Sequence, residues 1–316
     1  VPPAAGAAGR SGMLTDAAVS VSLALLLFAA VQFLSVLGMP MALFAPAPLA
    51  VLCVRRGEPV FLACALLGLA AAGLAWGVGG AGAFLLAVAV PAFLIARGLT
   101  RGWAPEWVVG AAAALLTGAT LGALTATLPD GIGPWVAGLV SQSIDLYAQQ
   151  GAPEPWVTAL KEQREQLTAF FHHMLPMGLA WSGMALATAS LLAARAFFVR
   201  HPHPAATPFA PLTWHLRDEW VWALIAAGAL LLVPYPPARI AGGNALGVLA
   251  LAYAFQGWAV VGYIFEAKAV HRAVRIVFYL LLLLWPMLSL FLVLVGVLDI
   301  WTDLRKVRPR PDAAAG

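Results

Sequence analysis

This sequence predicts an all-α fold, a polytopic transmembrane helical bundle, and three observations carry that expectation. Of its 316 residues 62% are hydrophobic and only 10% are charged, against roughly a quarter charged in an ordinary soluble domain. The mean hydropathy is +0.88, so too little polar surface exists to coat the chain in water. Lipid must replace water as the solvent for much of it. The apolar residues also fall into runs close to the roughly 20 residues that one crossing helix needs.

Taken in order, about eight or nine hydrophobic segments are expected. The first covers residues 17–37. Residues 39–54 are short, interrupted by Pro40, Pro46 and Pro48, and end at Arg55 and Arg56. Segments 60–76 and 80–96 form a pair joined by the glycine-rich residues 77–80. Segments 107–128 and 175–198 follow. Residues 220–232 are short and stop at Pro234, Pro236 and Pro237. Segments 244–264 and 276–298 complete the set.

Between the fifth and sixth segments lies the only long polar stretch, 129–173, expected to be a helical insert outside the membrane. Within it residues 135–147 read as an amphipathic helix, with Trp135, Val136, Leu139, Ile144 and Leu146 against Ser141, Gln142, Ser143 and Asp145. Gly151, Pro153 and Pro155 break it, and residues 156–171 read as a second helix. Such helices lie on a membrane surface or cap the domain. A proline-rich linker, 201–208, follows the sixth segment. Positive charge collects on the cytoplasmic side of membrane proteins, which puts Arg55, Arg97 and Arg195 inside and 129–173 outside. Nine crossings leave the basic tail outside, eight bring it inside, and the charges leave that choice open.

The expected organisation is an irregular N-terminal extension (1–12), with Met13 as the natural start, one membrane domain (13–304) and a basic, disordered tail (305–316). Cys53 and Cys64 both lie in apolar stretches and read as buried thiols. The net charge of +4 is that of cytoplasmic loops, and no dense basic run with interleaved aromatics points to nucleic acid. There is no phosphate-binding loop, dinucleotide fingerprint, nucleophile elbow or His-Glu-x-x-His. The six histidines have no metal-ligand spacing. Neither a cofactor nor a resident metal is expected, and neither is enzymatic activity.

Each polar residue inside a bilayer needs a reason. Gln32, in the first segment, reads as a helix–helix hydrogen bond rather than a ligand contact. Thr117, Thr120 and Thr125 accompany Gly118 and Gly122 and read as close packing. Asn244 and Gln256 are twelve residues apart and therefore about 120° apart on a helix. With Tyr253, Trp258 and neighbouring glycines they fit the wall of a small-molecule cavity, and equally the polar glue between helices. As a cavity residue, Gln256 is expected to tolerate leucine without loss of stability. Asp299 and Asp303, one helical turn apart, could share a face and hold a cation; pairing with Arg305 or exposure to water is the favoured reading.

Residues 14–18, 46–51 with Arg55, Arg56 and Gly57, 244–257, and 296–306 together resemble the YybS-like family of bacterial predicted membrane proteins (domain of unknown function family 2232). That family is in turn similar in helix pattern to the substrate-binding components of energy-coupling-factor transporters. The resemblance implies a small ligand held within a helical bundle and dependence on other membrane subunits or a separate ATPase module. The extra helices and the 129–173 insert depart from that pattern. The expected function is a small-solute transport or binding component without its own energy source, in a bacterial inner membrane. The alternative is a structural or regulatory membrane scaffold.

Overall fold

The computed structural model describes residues 5–284 and 287–306. Every regular element among them is helical, and the chain divides into two compact units, one up to Pro208 and one from Phe209. The proline-rich linker separates what the composition alone presents as one membrane domain. Among the described residues, six helical runs could cross a membrane by length and composition, or seven if a bent pair counts as one. The chain is thus a multi-pass membrane protein whose outer surface meets lipid.

The first unit begins with α1 (Ala5–Phe33), so the described part of the 1–12 segment is helical rather than irregular. The chain turns at Leu34, and α2 (Ser35–Ala42) folds back along α1. A Cβ on Gly38 would fall 2.1 Å from the Ala30 carbonyl oxygen, so only glycine permits this approach. The first crossing therefore ends four residues short of the expected 37. Helix α3 (Pro46–Arg56) places its prolines in the first turn, where no intrahelical N–H bond is lost. It is the buried helix of this unit, and Leu49, Ala50, Leu52 and Val54 are all enclosed. The hydroxyl of fully buried Ser190 donates to the Leu43 carbonyl (2.7 Å) and satisfies the turn before α3.

Helix α4 (Glu58–Phe84), a π-helical turn (Leu85–Ala89) and α5 (Val90–Arg101) form a helical run of 44 residues. It is not one rod. Trp76 and Gly77 leave helical geometry, and Gly77 takes φ 70°, ψ −167°, a region open essentially to glycine alone. Beyond that break the chain returns: Phe84 packs on Gly68, and Arg97 pairs with Glu58 at 2.6 Å. On a straight helix Arg97 and Glu58 would be about 58 Å apart. The run is an antiparallel hairpin, as the glycines at 77–80 lead one to expect.

Helix α6 (Pro105–Thr127) packs on α9 (Arg164–Arg200), with Gly183 of α9 lying against the Ala113 backbone. Between them, α7 (Ile132–Gln149) and α8 (Glu154–Glu162) build the insert. Val136, Val140, Ile144 and Val157 form a small core there, joined by Leu160 and Leu167. Sequence reading placed a helix over 156–171 separate from 175–198. Instead the chain breaks at Gln163, and α9 runs unbroken from Arg164 through Pro176 to Arg200.

The second unit contains α10 (Trp220–Leu232), α11 (Pro236–Ala267), α12 (Arg272–Leu284) and α13 (Met287–Thr302). Helix α10 has the expected bounds. The single span expected over 276–298 is two helices bent by 110°. Helix α11 packs on both α10 and α13. A Cβ on Gly257 would sit 1.9 Å from the Leu292 carbonyl oxygen, and one on Gly296 would sit 2.0 Å from that of Tyr253. The two backbones therefore touch, which is how small residues let membrane helices associate.

Candidate functional site

In the second unit that close crossing encloses a polar cluster. Gln256 is on α11, Asp299 near the end of α13, and Arg305 just beyond it; their exposures are 0, 1 and 2%. The Arg305 Nη2 donates to Asp299 Oδ2 at 2.7 Å. The Gln256 amide Nε2 donates to the same oxygen at 3.1 Å. The other carboxylate oxygen accepts the Leu304 backbone N–H (3.1 Å). The Gln256 Oε1 accepts the backbone N–H of Leu216 (3.1 Å). Arg305 Nη1 donates to the carbonyls of Leu212 (2.8 Å) and Trp214 (2.7 Å). A carboxylate, a guanidinium, an amide and three backbone groups of the 212–216 segment thus satisfy one another.

Local geometry explains how Arg305 reaches back. Helix α13 ends at Thr302, and Asp303 and Lys306 both adopt positive φ (41° and 53°). The chain curls, and the side chain of Arg305 returns to a carboxylate six residues earlier. Asp303 therefore leaves the helix, and it does not share a helical face with Asp299. Arg305 is no part of a solvated tail, as the sequence suggests, but a buried residue; residues 307–316 lie outside the described region.

Among the described residues of the same unit, two fully enclosed donors have no hydrogen-bond partner, Tyr253 Oη and Arg305 Nε. Tyr253 is completely buried and packs with Leu216 and Ile300, the neighbours of the cluster in space and sequence. Leaving such a group unpaired costs on the order of 1–3 kcal/mol. At the surface beside the cluster, Glu219 is held below the ordinary carboxylate range by its own backbone N–H and by Arg217.

The other expected site residues lie elsewhere. Asn244 is half-buried and donates to Ile240 O of its own helix (2.8 Å), and twelve residues of helix set it about 18 Å along α11 from Gln256. Trp258 is half-exposed and stacks on Tyr279 with ring centres 5.1 Å apart. Gln32 is exposed and occupies the penultimate position of α1 rather than its middle. Gln256 itself has both ends of its amide occupied. Leucine there would strand the Leu216 N–H and one bond of Asp299, which reverses the expectation of a harmless substitution. The 212–216 backbone was missed in the sequence, because backbone partners leave no residue-type signal. Among the described residues no group of histidine, cysteine and acidic side chains could hold a metal ion.

One family's model matches residues 22–300, which include Gln256, Asp299 and the helices of the second unit up to the last two residues of α13. The chain belongs to the DUF2232 family of predicted membrane proteins. Within this DUF2232 protein the matched region ends one residue past Asp299, so Arg305 lies beyond it. No curated protein and no solved structure matches the chain.

Proposed function

We propose that this DUF2232 protein is a small-solute binding and transport component of a bacterial inner membrane, without an energy source of its own. A separate ATPase module or other membrane subunits would drive it. The buried Asp299–Arg305 pair supports this reading, together with the unpartnered Tyr253 Oη and Arg305 Nε. Ionisable residues within membrane bundles are costly, and they concentrate on solute and ion paths. Both unpartnered atoms carry a proton to donate, so an occupant with acceptor oxygens would complete them.

The rival reading, a structural or regulatory scaffold, draws on the saturation of Gln256, whose amide only ties elements together. Mass spectrometry of the purified protein, with thermal melts of wild type and Tyr253→Phe, separates the two. The solute reading expects a copurifying small molecule that raises the melting temperature of the wild type. Tyr253→Phe should keep or raise the melting temperature of the ligand-free protein and weaken the ligand's effect. Copurifying protein subunits with no small molecule, unaffected by Tyr253→Phe, would sink the solute reading.

A further inference from the structure

The insert of the first unit exposes three large aromatic side chains that its own small core does not use. Trp156 on α8 is 73% exposed, and Phe170 and Phe171 on α9 are 57% and 52% exposed. We infer that these side chains of the insert are seated together in the headgroup layer of the bilayer that α9 crosses, with zwitterionic lipid as their partner.

The length of α9 sets the depth. Its 37 residues span about 55 Å, whereas the hydrocarbon core is about 30 Å thick. Arg195 and Arg200 mark one end of the helix, and the apolar stretch starts near Leu175. About 25 Å of helix therefore lies beyond the hydrocarbon, mostly on the side of the insert. Phe170 and Phe171 precede Leu175 by about one turn, which is the level at which aromatic side chains border a membrane. One turn further out, Leu167 packs with Val136, Val140, Ile144 and Val157. The core of the insert is thus pinned within about a helical turn of the same level, and Trp156 is the neighbour of Val157. Distance alone brings Trp156 within reach of the headgroups.

Charge selects the lipid. Residues 129–173 hold Asp130, Asp145, Glu154, Glu162 and Glu165 against Lys161 and Arg164, a net charge of −3. An anionic surface would repel this segment, and a zwitterionic one would not. Lys161 lies five residues from Trp156, about 140° around α8, so the charged side of that helix faces away from the aromatic one.

The test uses the full chain in phosphatidylcholine proteoliposomes, spin-labelled singly at Trp156→Cys, Phe170→Cys or Lys161→Cys. The unsubstituted protein, whose Cys53 and Cys64 are buried, serves as the blank. Accessibility to oxygen relative to a water-soluble nickel complex should be several-fold higher at 156 and 170 than at 161. Replacing part of the lipid by phosphatidylglycerol should not deepen either position. Equal nickel accessibility at all three positions would place the aromatic side chains in water and overturn the inference. Protection of 156 and 170 from both reagents would overturn it too, in favour of a protein covering them. If Trp156→Cys fails to yield folded protein, Phe171→Cys takes its place with the same outcomes.

Discussion

Two sets of charges in this protein contrast in what they hold. At one end of the first unit Asp16 pairs with Arg56 (2.7 Å) and Arg55 (3.3 Å), and Glu58 pairs with Arg97 (2.6 Å). These side chains remain partly open to solvent, at 25 to 46% exposure. Arg55 and Arg97 also lie over the rings of Phe197 and Phe93. In the second unit Asp299 and Arg305 are enclosed, and each has further hydrogen bonds to an amide or to backbone. Solvated pairs gain little, because water offers each partner nearly as much. An enclosed pair has no such substitute, so losing one member strands the other. The first set marks an end of a bundle, whereas the second joins α11, α13 and the 212–216 segment.

The contrast is sharpened most by Arg305→Ala. It leaves Asp299 buried without its cation and frees two carbonyls, and should cost about 3–5 kcal/mol. A large drop in melting temperature in detergent is the expected reading. Combining Asp299→Leu with Arg305→Met should recover only part of that loss, since the Leu212 and Trp214 carbonyls and the Leu304 N–H still lose their bonds to these two side chains. A loss below 1 kcal/mol for Arg305→Ala would show that the cluster is open to water.

Gly257→Ala should come next, at about 1–3 kcal/mol or somewhat more, because the added methyl meets the Leu292 carbonyl on a rigid backbone. Separation of α11 from α13 by cysteine crosslinking would accompany it. Gln256→Leu should follow, with a loss of about 1–3 kcal/mol from the stranded Leu216 N–H and Asp299 oxygen. Unchanged melting would mean that Gln256 contributes nothing to the ligand-free protein, and would return it to the role of a ligand contact. The smallest effect is expected at the open end: Arg97→Ala should cost about 0–1 kcal/mol. A loss as large as that of Arg305→Ala would abolish the distinction between the two sets.

Much of the helical layout was legible along the chain. The 220–232 helix has the bounds expected from its apolar run and the prolines after it. The hairpin at Trp76–Gly77 follows from glycines set between two apolar runs. The amphipathic 135–147 segment lies within α7. Other boundaries were not legible for physical reasons. Residues 17–37 look like one span because Gln32 and Ser35, which flank the turn at Leu34, are too few to interrupt the apolar run. The 276–298 segment looks continuous because its apolar run hardly changes in composition, although Pro286 stands between α12 and α13. Residues 156–171 and 175–198 read as separate helices, yet α9 runs through the gap between them and through Pro176, packed against α6 and α7.

Partner choice was less legible still. Asn244 and Gln256 share a helix and a residue class, yet one bonds to its own helix and the other to groups 40 and 43 positions away. Asp299 and Asp303 share a helical spacing, but the positive φ of Asp303 removes it from the helix.

By itself the sequence determined that this chain resides in a membrane, which stretches are long and apolar enough to cross it, and where its polar insert lies. Those are properties of composition and run length, and they need no knowledge of what packs on what. Only the tertiary structure decided that α4 returns on itself to place Arg97 on Glu58, that α11 and α13 touch through Gly257 and Gly296, and that Arg305 is buried on Asp299. Small apolar residues allow many helix pairings of similar energy, and the one adopted is fixed by contacts between residues tens of positions apart.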